Sequence, residues 1–298
     1  MILVVLTSHR LDCFSLCIKC LEKNTDLRVF EKIYVLGNEL APEHKAFASA
    51  FVGRHANAEL VEFGPRGWQP LMQTQDMILR QHPDSIMVKI DEDVFVMPNW
   101  LEAMLLEYEK GRSSGCVLVS ALVPNNQSGM RMLHEPYLES FADYAKFADT
   151  VFEHGISKNA RYALWIWKKF MQGKLDLTRQ GLLKNVESRR IDFYLNINCI
   201  MLNPEFLQAI LPFAGSTDEH VINQALQMGN KLYGLVTPKA IAHHYSFGPQ
   251  QELLDTFISM DDLEPILMND GKLPEGAQYS GLTAVMEKEL AADRVATA

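Results

Sequence analysis

The sequence predicts an α/β fold with a Rossmann-like, mostly parallel sheet, helices on both faces and a helical insertion. Short apolar runs alternate with segments whose apolar residues recur at helical spacing over residues 2–123. The runs are almost continuously hydrophobic, which is typical of parallel strands buried on both faces. Between residues 136 and 190 the alternation gives way to polar and aromatic helical patterns, which predict the insertion.

The elements of the first half follow in a regular order. Strands are predicted at ILVVLTS, KIYVLGN, AELVEF, SIMVKI and GCVLVSALV. Helices are predicted between them at DCFSLCIKCLEKN, with Asp12 as N-cap, at PEHKAFASAFVGR, whose proline suits a first turn, and at GWQPLMQTQDMILRQH. After Pro98, apolar residues from Trp100 to Tyr108 repeat as one helix face.

The second half begins with the insertion, where we interpret the aromatic run YALWIWKKF as helix packing rather than an acceptor or partner surface. A strand is then predicted at DFYLNINCIML, a short helix from Asn203-Pro204 to Pro212, and a longer one at STDEHVINQALQMGN, closed by Gly229. Two further segments, KLYGLVTP and AIAHHYSFG, end the predicted compact domain. We expect that domain over residues 1–250, with halves at about 1–123 and 124–250, and a helical extension over 251–298.

Composition narrows the classes of function. The chain has 298 residues, 48% hydrophobic and 22% charged, which is typical of a soluble globular protein. Its net charge of −9 argues against binding to nucleic acid or an anionic membrane surface. No apolar run is long enough to span a bilayer, so the cytoplasm is the expected compartment, although peripheral membrane association stays open.

Three cysteines share the spacing C-x3-C-x2-C, which resembles the iron–sulfur signature of radical S-adenosylmethionine enzymes. On a helix, Cys13, Cys17 and Cys20 fall on one apolar face, whereas cluster ligands need an open loop. We therefore expect three buried structural cysteines.

The segment IMVKIDEDVFVMPNW places three carboxylates, Asp91 to Asp93, between two apolar runs. Like charges this close repel, so the triplet is either a solvated turn or a site for a cation. The flanking apolar residues favour the cation. Carboxylates at the carboxyl end of a strand suit Mg²⁺ or Mn²⁺, which take oxygen ligands and bridge to substrate phosphates.

The segment VKIDEDVFVMPNWLEAML resembles the DxD segment of GT-A-fold, metal-dependent glycosyltransferases. NINCIMLNPEFLQAIL, STDEHVINQAL and AIAHHYSFG resemble, in the same order, their acceptor-side strand and helix, their acidic helix start and their late histidine. The resemblance covers most of residues 1–248. It implies transfer of a sugar from a nucleotide-diphosphate-sugar to a carbohydrate or other hydroxyl acceptor with Mn²⁺ or Mg²⁺, by a favoured inverting mechanism.

The resemblance also implies roles for individual residues. Asp91 would hold the donor ribose or the metal, Asp93 would ligate the metal, and His243, with His244 as the alternative, would complete the metal site. Thr7, Ser8 and Arg10 would contact the nucleotide, as would Asn38, where the family more often has an acid. Asp218 would hold the acceptor and Glu219 would be the catalytic base.

Other interpretations remain open at this stage. Ser216 and Glu219 have the spacing of a capping box, so Glu219 is either a helix cap or a base. A sugar-nucleotide nucleotidyltransferase would also use acids and a metal, but it needs a glycine-rich loop where this chain has TSHRLDC. A non-catalytic nucleotide-sugar binding module is a further alternative. The sequence does not identify the sugar, the base or the acceptor.

Overall fold

A computed structural model describes residues 1–134, 137–150, 158–175, 186–191, 194–213, 215–229, 231–277 and 279–292. The strands are β1 (Ile2–Thr7), β2 (Lys32–Asn38), β3 (Ala58–Phe63), β4 (Met87–Asp91), β5 (Val94–Val96), β6 (Cys116–Leu122), β7 (Arg189–Arg190), β8 (Cys199–Leu202) and β9 (Tyr233–His244). The helices are α1 (Leu11–Asn24), α2 (Pro42–Arg54), α3 (Trp68–Gln81), α4 (Trp100–Gly111), α5 (Gln127–Leu133), α6 (Ala160–Met171), α7 (Pro204–Ile210), α8 (Asp218–Met228), α9 (Gly248–Phe257), α10 (Met260–Leu267) and α11 (Ser280–Ala291). No described helix is long and apolar enough to cross a membrane.

The predicted α/β class is confirmed, and the sheet is mixed. Its order is β3-β2-β1-β4-β8-β6-β9-β5, with β7 paired to β9. Strands β3, β2, β1 and β4 are mutually parallel, as are β6 and β9. Strand β8 runs antiparallel between β4 and β6, and β7 runs antiparallel to β9. Apolar runs do not encode strand direction, which is why the sequence predicted a more uniformly parallel sheet.

Helices cover both faces of the central strands. Successive side chains of a strand point to opposite faces, and nearly every residue of β1 and β2 is buried. Strand β3, at the edge, has no fully buried residue. The edge strand is therefore partly exposed to solvent, and the hydrophobic core lies on both faces of β1, β2 and β4.

The strand order creates a switch point between β1 and β4. The chain adds β2 and β3 on one side of β1 and then places β4 on its other side. In open α/β sheets, ligands bind in the crevice outside the carboxyl ends of the strands at such a point. Leu6 of β1 pairs with Asp91 of β4, so the loop after β1 and the acidic triplet leave the sheet side by side.

Several predicted boundaries need correction. Helix α1 begins at Leu11 with Arg10 as N-cap, so Asp12 lies in the first turn rather than at the cap. The two predicted segments at 231–238 and 240–248 share one strand, β9, which accommodates Pro238 because the register shifts between its pairings with Ala121 and Leu122. The strand predicted at 192–202 is regular only over β8, and its first two residues lie outside the described part.

The described residues form two compact units. One comprises residues 1–122 and 187–242, and the other comprises 123–186 and 243–298. The predicted insertion belongs to the second unit over 137–150, 158–175 and residue 186 and to the first unit over 187–190, and its other residues lie outside the described part, as do 293–298 of the predicted extension. The helix predicted from the aromatic run is α6, and its packing is confirmed because Trp165, Trp167 and Phe170 are buried. The catalytic domain over 1–250 stays a prediction.

Candidate active site

The acidic triplet forms the turn between β4 and β5. Asp91 is the last residue of β4, and Glu92 and Asp93 make the turn before Val94 begins β5. Asp91 and Asp93 are partly exposed, whereas Glu92 is buried. The three carboxylates therefore have two different environments, which the sequence alone did not separate.

Glu92 accepts hydrogen bonds from the loop that follows β1. Its Oε2 accepts from Thr7 Oγ1 at 2.8 Å and from the Ser8 N–H at 2.8 Å, and its Oε1 accepts from Ser8 Oγ at 2.9 Å. The N–H groups of His9 and Arg10 lie 3.4 Å from the same carboxylate. Charge-assisted bonds of this kind can stabilise a buried carboxylate without a metal. Glu92 thus ties the β4–β5 turn to the β1 loop.

The predicted nucleotide contacts of this loop are already engaged within the protein. Thr7 Oγ1 lies 2.6 Å from His44 Nε2 as well as bonding to Glu92. Burial lowers the pKa of His44, which keeps its ring neutral near pH 7. The guanidinium of Arg10 makes two bonds to Asp12, at 2.9 and 2.7 Å, and the Arg10 side chain is largely shielded from solvent. Their roles toward a nucleotide stay predictions.

Asn38 ends β2, the strand next to β1, and is buried. Its Nδ2 donates to the Gly67 carbonyl at 3.2 Å, and among the described residues its Oδ1 has no hydrogen-bond partner. An amide acceptor at a strand end is compatible with the predicted contact to the nucleotide, which stays a prediction.

Asp218 and Glu219 open α8, and its cap differs from the predicted one. Thr217 is the N-cap, and its hydroxyl accepts from the His220 N–H at 3.3 Å. Glu219 therefore occupies the second helical position, so the capping box proposed for Ser216 and Glu219 is not the cap of this helix. The Glu219 carboxylate instead accepts from Asn196 Nδ2 at 3.2 Å. Glu219 is therefore not part of a capping box, and its catalytic role stays a prediction.

A buried lysine, which the sequence analysis did not single out, joins the two acidic segments. Lys89 Nζ of β4 lies 2.6 Å from Asp218 Oδ2 and 4.0 Å from Asp91 Oδ1. The side chains of Lys89 and Asp218 are only 4% and 8% exposed. Burial alone lowers the pKa of Lys89, but the carboxylates of Asp218 and Asp91 outweigh it and raise that pKa above its usual value. Lys89 therefore keeps its positive charge beside the carboxylates of Asp218 and Asp91.

A polar stripe at alternate positions faces the same carboxylates. Asn196 Nδ2 bonds to Glu219, and Asn198 Nδ2 donates to Asp91 Oδ2 at 3.2 Å. Burial and the nearby carboxylate of Glu219 raise the pKa of Tyr194. Tyr194, Asn196 and Asn198 alternate with the buried Leu195 and Ile197 and approach the carboxylates of Glu219 and Asp91. Two asparagines spaced by two within an apolar run were the available sequence signal.

The environment of Glu219 weakens its acidity. Burial, with the negative charges of Asp91 and Asp218, raises the pKa of Glu219 to about 7, although Lys89 and the bond from Asn196 act in the opposite direction. A carboxylate with a pKa near the working pH can both accept and release a proton in a reaction. Shifted carboxyl pKa values of this size are concentrated at functional sites.

The two histidines predicted for the metal lie at the end of β9, where the second compact unit resumes. The His243 ring packs on Phe170 and Trp167, with centroids 4.3 and 5.7 Å apart, and burial lowers the pKa of His243 to about 3. The His244 ring packs on Phe247 at 4.4 Å. A neutral imidazole is the ligating form, but whether either histidine binds a metal stays a prediction.

Carboxylate oxygens are the donors that this site offers to a divalent metal. Within the described ranges, no group of three or more His, Cys, Asp and Glu side chains is arranged to hold an ion. Mg²⁺ and Mn²⁺ favour oxygen ligands, and Mg²⁺ is usually held by one or two carboxylates with waters and substrate phosphates. Asp91 and Asp93 supply two partly exposed carboxylates at the switch point. The residues fit an ion that binds together with a phosphate-bearing substrate.

The cysteines of α1 are structural, as predicted. Cys13, Cys17 and Cys20 are fully buried, and Cys17 Sγ donates to the Asp91 carbonyl at 3.7 Å. Burial raises the pKa of the Cys13 and Cys17 thiols far above the usual value. All three pack in the core on one face of the helix, which is the structural role that was predicted.

Comparison with known proteins finds similar solved structures. No protein-family model and no curated protein matches the chain. Its similar solved structures include the mannosyltransferase PcManGT from Pyrobaculum calidifontis in complex with GDP-Man and Mn²⁺, at 12% identity and a TM-score of 0.49, covering 98% of this chain and 74% of that one.

Two further structures are of comparable similarity. They are GalNAc-T7 with UDP, GalNAc and Mn²⁺, at 12% identity, TM-score 0.46 and coverage of 97% and 54%, and S. aureus TarS 1-349, at 11% identity, TM-score 0.48 and coverage of 97% and 69%. The chain thus spans about half of the GalNAc-T7 structure. At this level of similarity the activity has to be argued from the site.

Proposed function

We propose that this protein is a metal-dependent glycosyltransferase that moves a sugar from a nucleotide-diphosphate-sugar to an acceptor hydroxyl with inversion at the anomeric carbon. The bond between the anomeric carbon and the diphosphate oxygen breaks as the acceptor oxygen attacks from the opposite face. The nucleoside diphosphate leaves, and the proton of the acceptor hydroxyl passes to a carboxylate of the protein.

Glu219 carries this proposal as the base. It is the carboxylate whose pKa is raised to about 7, and it lies at the start of a helix beside the charges of Lys89 and Asp91. At neutral pH a substantial fraction is deprotonated and able to take the acceptor proton, and the product acid can release it again. The contact from Asn196 at 3.2 Å orients the carboxylate.

Asp218 is proposed to bind the acceptor substrate, and it also has a structural role. Its Oδ2 is bound by Lys89 at 2.6 Å, and its Oδ1 accepts the Glu219 N–H at 2.9 Å. Each carboxylate oxygen has more than one lone pair, so an acceptor hydroxyl can still bond to it. The contacts with Lys89 and Glu219 fix the start of α8, and with it the position of the base.

The donor would bind at the switch point through Asp91 and Asp93. A divalent Mn²⁺ or Mg²⁺ held there, mainly by Asp93, would neutralise the charge that develops on the leaving diphosphate. The protein needs such a cation, because its net charge of −9 repels a diphosphate. His243 is proposed as a further ligand, and Thr7, Ser8, Arg10 and Asn38 as nucleotide contacts.

A nucleotidyltransferase is disfavoured by the loop after β1. An enzyme that grips a triphosphate there needs free backbone N–H groups, whereas those of Ser8, His9 and Arg10 face the Glu92 carboxylate. A binding module without catalysis would have no use for a base with a pKa near 7. Both alternatives remain outcomes of the experiment below.

The test is a transfer and hydrolysis screen over UDP-, GDP- and other nucleotide-sugars with Mn²⁺. We expect release of nucleoside diphosphate in wild type, strong loss of release in Glu219→Gln, and a product of inverted anomeric configuration by NMR. Release of pyrophosphate from a nucleoside triphosphate would support the nucleotidyltransferase instead. Donor binding with no turnover in any acceptor mixture would support the binding module.

A further inference from the structure

Asn198 is held against Asp91 by two hydrogen bonds. It lies one residue before β8, opposite the end of β4, and its carbonyl accepts the Asp91 N–H at 3.2 Å. Its side-chain Nδ2 donates to Asp91 Oδ2, also at 3.2 Å. Only the NH₂ group of an amide can donate to a carboxylate, so this contact fixes which way the amide faces. Its Oδ1 therefore has a defined position beside Asp91.

That oxygen has no hydrogen-bond partner in the part of the chain that the structure describes. Asn198 is only 8% exposed, so bulk water does not solvate the acceptor fully. Buried polar atoms in native proteins are nearly always satisfied, and an exception calls for a missing partner. Asp91, directly beside it, is 27% exposed at its side chain, so the pair can be reached from solvent.

The pair already has a cationic group as its neighbour, so its acceptor is suited to a neutral hydrogen-bond donor. Lys89 Nζ lies 4.0 Å from Asp91 Oδ1 and 2.6 Å from Asp218 Oδ2. A hydroxyl group carries no net charge and supplies the O–H that an amide oxygen needs. An acceptor next to a carboxylate on a rigid strand pair is suited to the hydroxyls of a sugar.

We propose that Asn198 is a donor-binding residue, whose Oδ1 accepts a hydrogen bond from a sugar hydroxyl of the nucleotide-sugar beside Asp91. The inference rests on the proposed function and refines it. Asp91 and Asn198 form the hydroxyl-binding part of the donor site, and Asp93 remains the metal-binding part. The hydroxyl belongs either to the ribose or to the transferred sugar, which share this chemistry.

The test combines a change in the protein with a change in the ligand. Calorimetry with Mn²⁺ first identifies which of UDP-glucose, UDP-GlcNAc and GDP-mannose binds wild type. The affinity of that compound is then compared with those of its 2′-deoxy and 3′-deoxy ribose analogues and of the diphosphate without its sugar, in wild type and in Asn198→Leu. Asn196→Leu, which removes the neighbouring contact to Glu219, is the matched control.

We expect wild type and Asn196→Leu to lose roughly 5- to 10-fold in affinity when the recognised hydroxyl is removed, and Asn198→Leu to show no such preference. A loss of affinity with the deoxyribose analogues identifies the ribose as the source of the hydroxyl. A loss seen only with the diphosphate that lacks its sugar identifies the transferred sugar. If Asn198→Leu does not fold, Asn198→Ser keeps a donor for Asp91 on a shorter side chain and serves the same comparison.

Three results would overturn the inference in distinguishable ways. Equal hydroxyl preference in wild type and Asn198→Leu means that the Asn198 oxygen serves a water molecule, and the proposed function stands. Loss of Mn²⁺ affinity without any change in hydroxyl preference makes it a metal ligand. Absence of nucleotide-sugar binding in wild type overturns the proposed function and the inference with it.

Discussion

Lys89→Met tests whether the buried ion pair organises the candidate active site. Methionine keeps most of the length and apolar volume of lysine and removes the charge. Asp218 would then remain buried, with its side chain 8% exposed, near the negative charges of Asp91 and Glu219. Breaking one partner of a buried pair costs about 3–5 kcal/mol of unfolding free energy, because the other charge is left uncompensated.

The expected loss is measurable by thermal unfolding. For a protein of this size, about 4 kcal/mol corresponds to a fall in melting temperature of roughly 6 °C. The control is Lys32→Met, which breaks the ion pair between Lys32 and Glu59. The side chains of these two residues are 29% and 51% exposed, respectively. Exposed pairs contribute at most about 1 kcal/mol. Adding Asp218→Asn to Lys89→Met removes the orphaned charge and should recover much of the stability.

The same substitution should shift the pH dependence of transfer. Lys89 lowers the pKa of Glu219, which burial and the nearby carboxylates raise to about 7. Without Lys89 this pKa rises further, so a higher pH is needed to deprotonate the base, and the acidic limb of kcat/KM moves to higher pH. An unchanged acidic limb, with a melting temperature no lower than that of Lys32→Met, would refute the assigned role of Lys89.

Four further predictions concern Glu219, Asp93 and the cysteines of α1. Glu219→Gln should slow transfer by about 10²–10⁴-fold with nearly unchanged donor affinity, and equal turnover would move the base elsewhere. Because the folded-state pKa of Glu219 is raised from 4.5 to about 7, wild type loses stability as pH rises through that interval. Glu219→Gln has no such group, so its melting temperature should rise relative to that of wild type between about pH 5 and pH 8. Asp93→Ala, at a partly exposed turn position, should abolish Mn²⁺-dependent binding of a nucleotide-sugar in calorimetry and keep the wild-type melting temperature. Protein purified without oxygen should show no iron–sulfur absorbance, and a band that disappears in Cys17→Ala would overturn both the core packing and the function argued here.

The sequence predicted most elements of the fold because their signals are local. The apolar face of α1, the first-turn proline of α2 and the strand before the acidic triplet each depend on residues within a few positions of one another. Strand direction and order depend on which distant segments pair, and periodicity does not encode them. The antiparallel β8 between β4 and β6 was therefore not predicted.

The site was predicted less completely than the fold, for the same reason. Asp91, Asp93 and the acids of α8 could be proposed because clustered carboxylates at an element boundary are visible in the sequence. In the sequence, Glu92 looked equivalent to its neighbours. Its buried position depends on N–H donors of the β1 loop, more than 80 residues earlier in the chain, so it could not be predicted locally. Asn198 has a similarly distant partner, 107 residues away.

Lys89 shows how a residue that contradicts its local pattern can mark a site. A lysine within the apolar strand MVKID has Asp91 as its local carboxylate, at 4.0 Å, and its closer carboxylate partner, Asp218, is 129 residues away. A buried cation is tolerated only where anions surround it, so its position implies that carboxylates from another element converge there. That reasoning links β4 to α8 independently of any family resemblance. Lys89 also limits the rise in the pKa of Glu219. The pKa of the proposed base therefore stays near 7, where its carboxylate can exchange a proton with an acceptor hydroxyl.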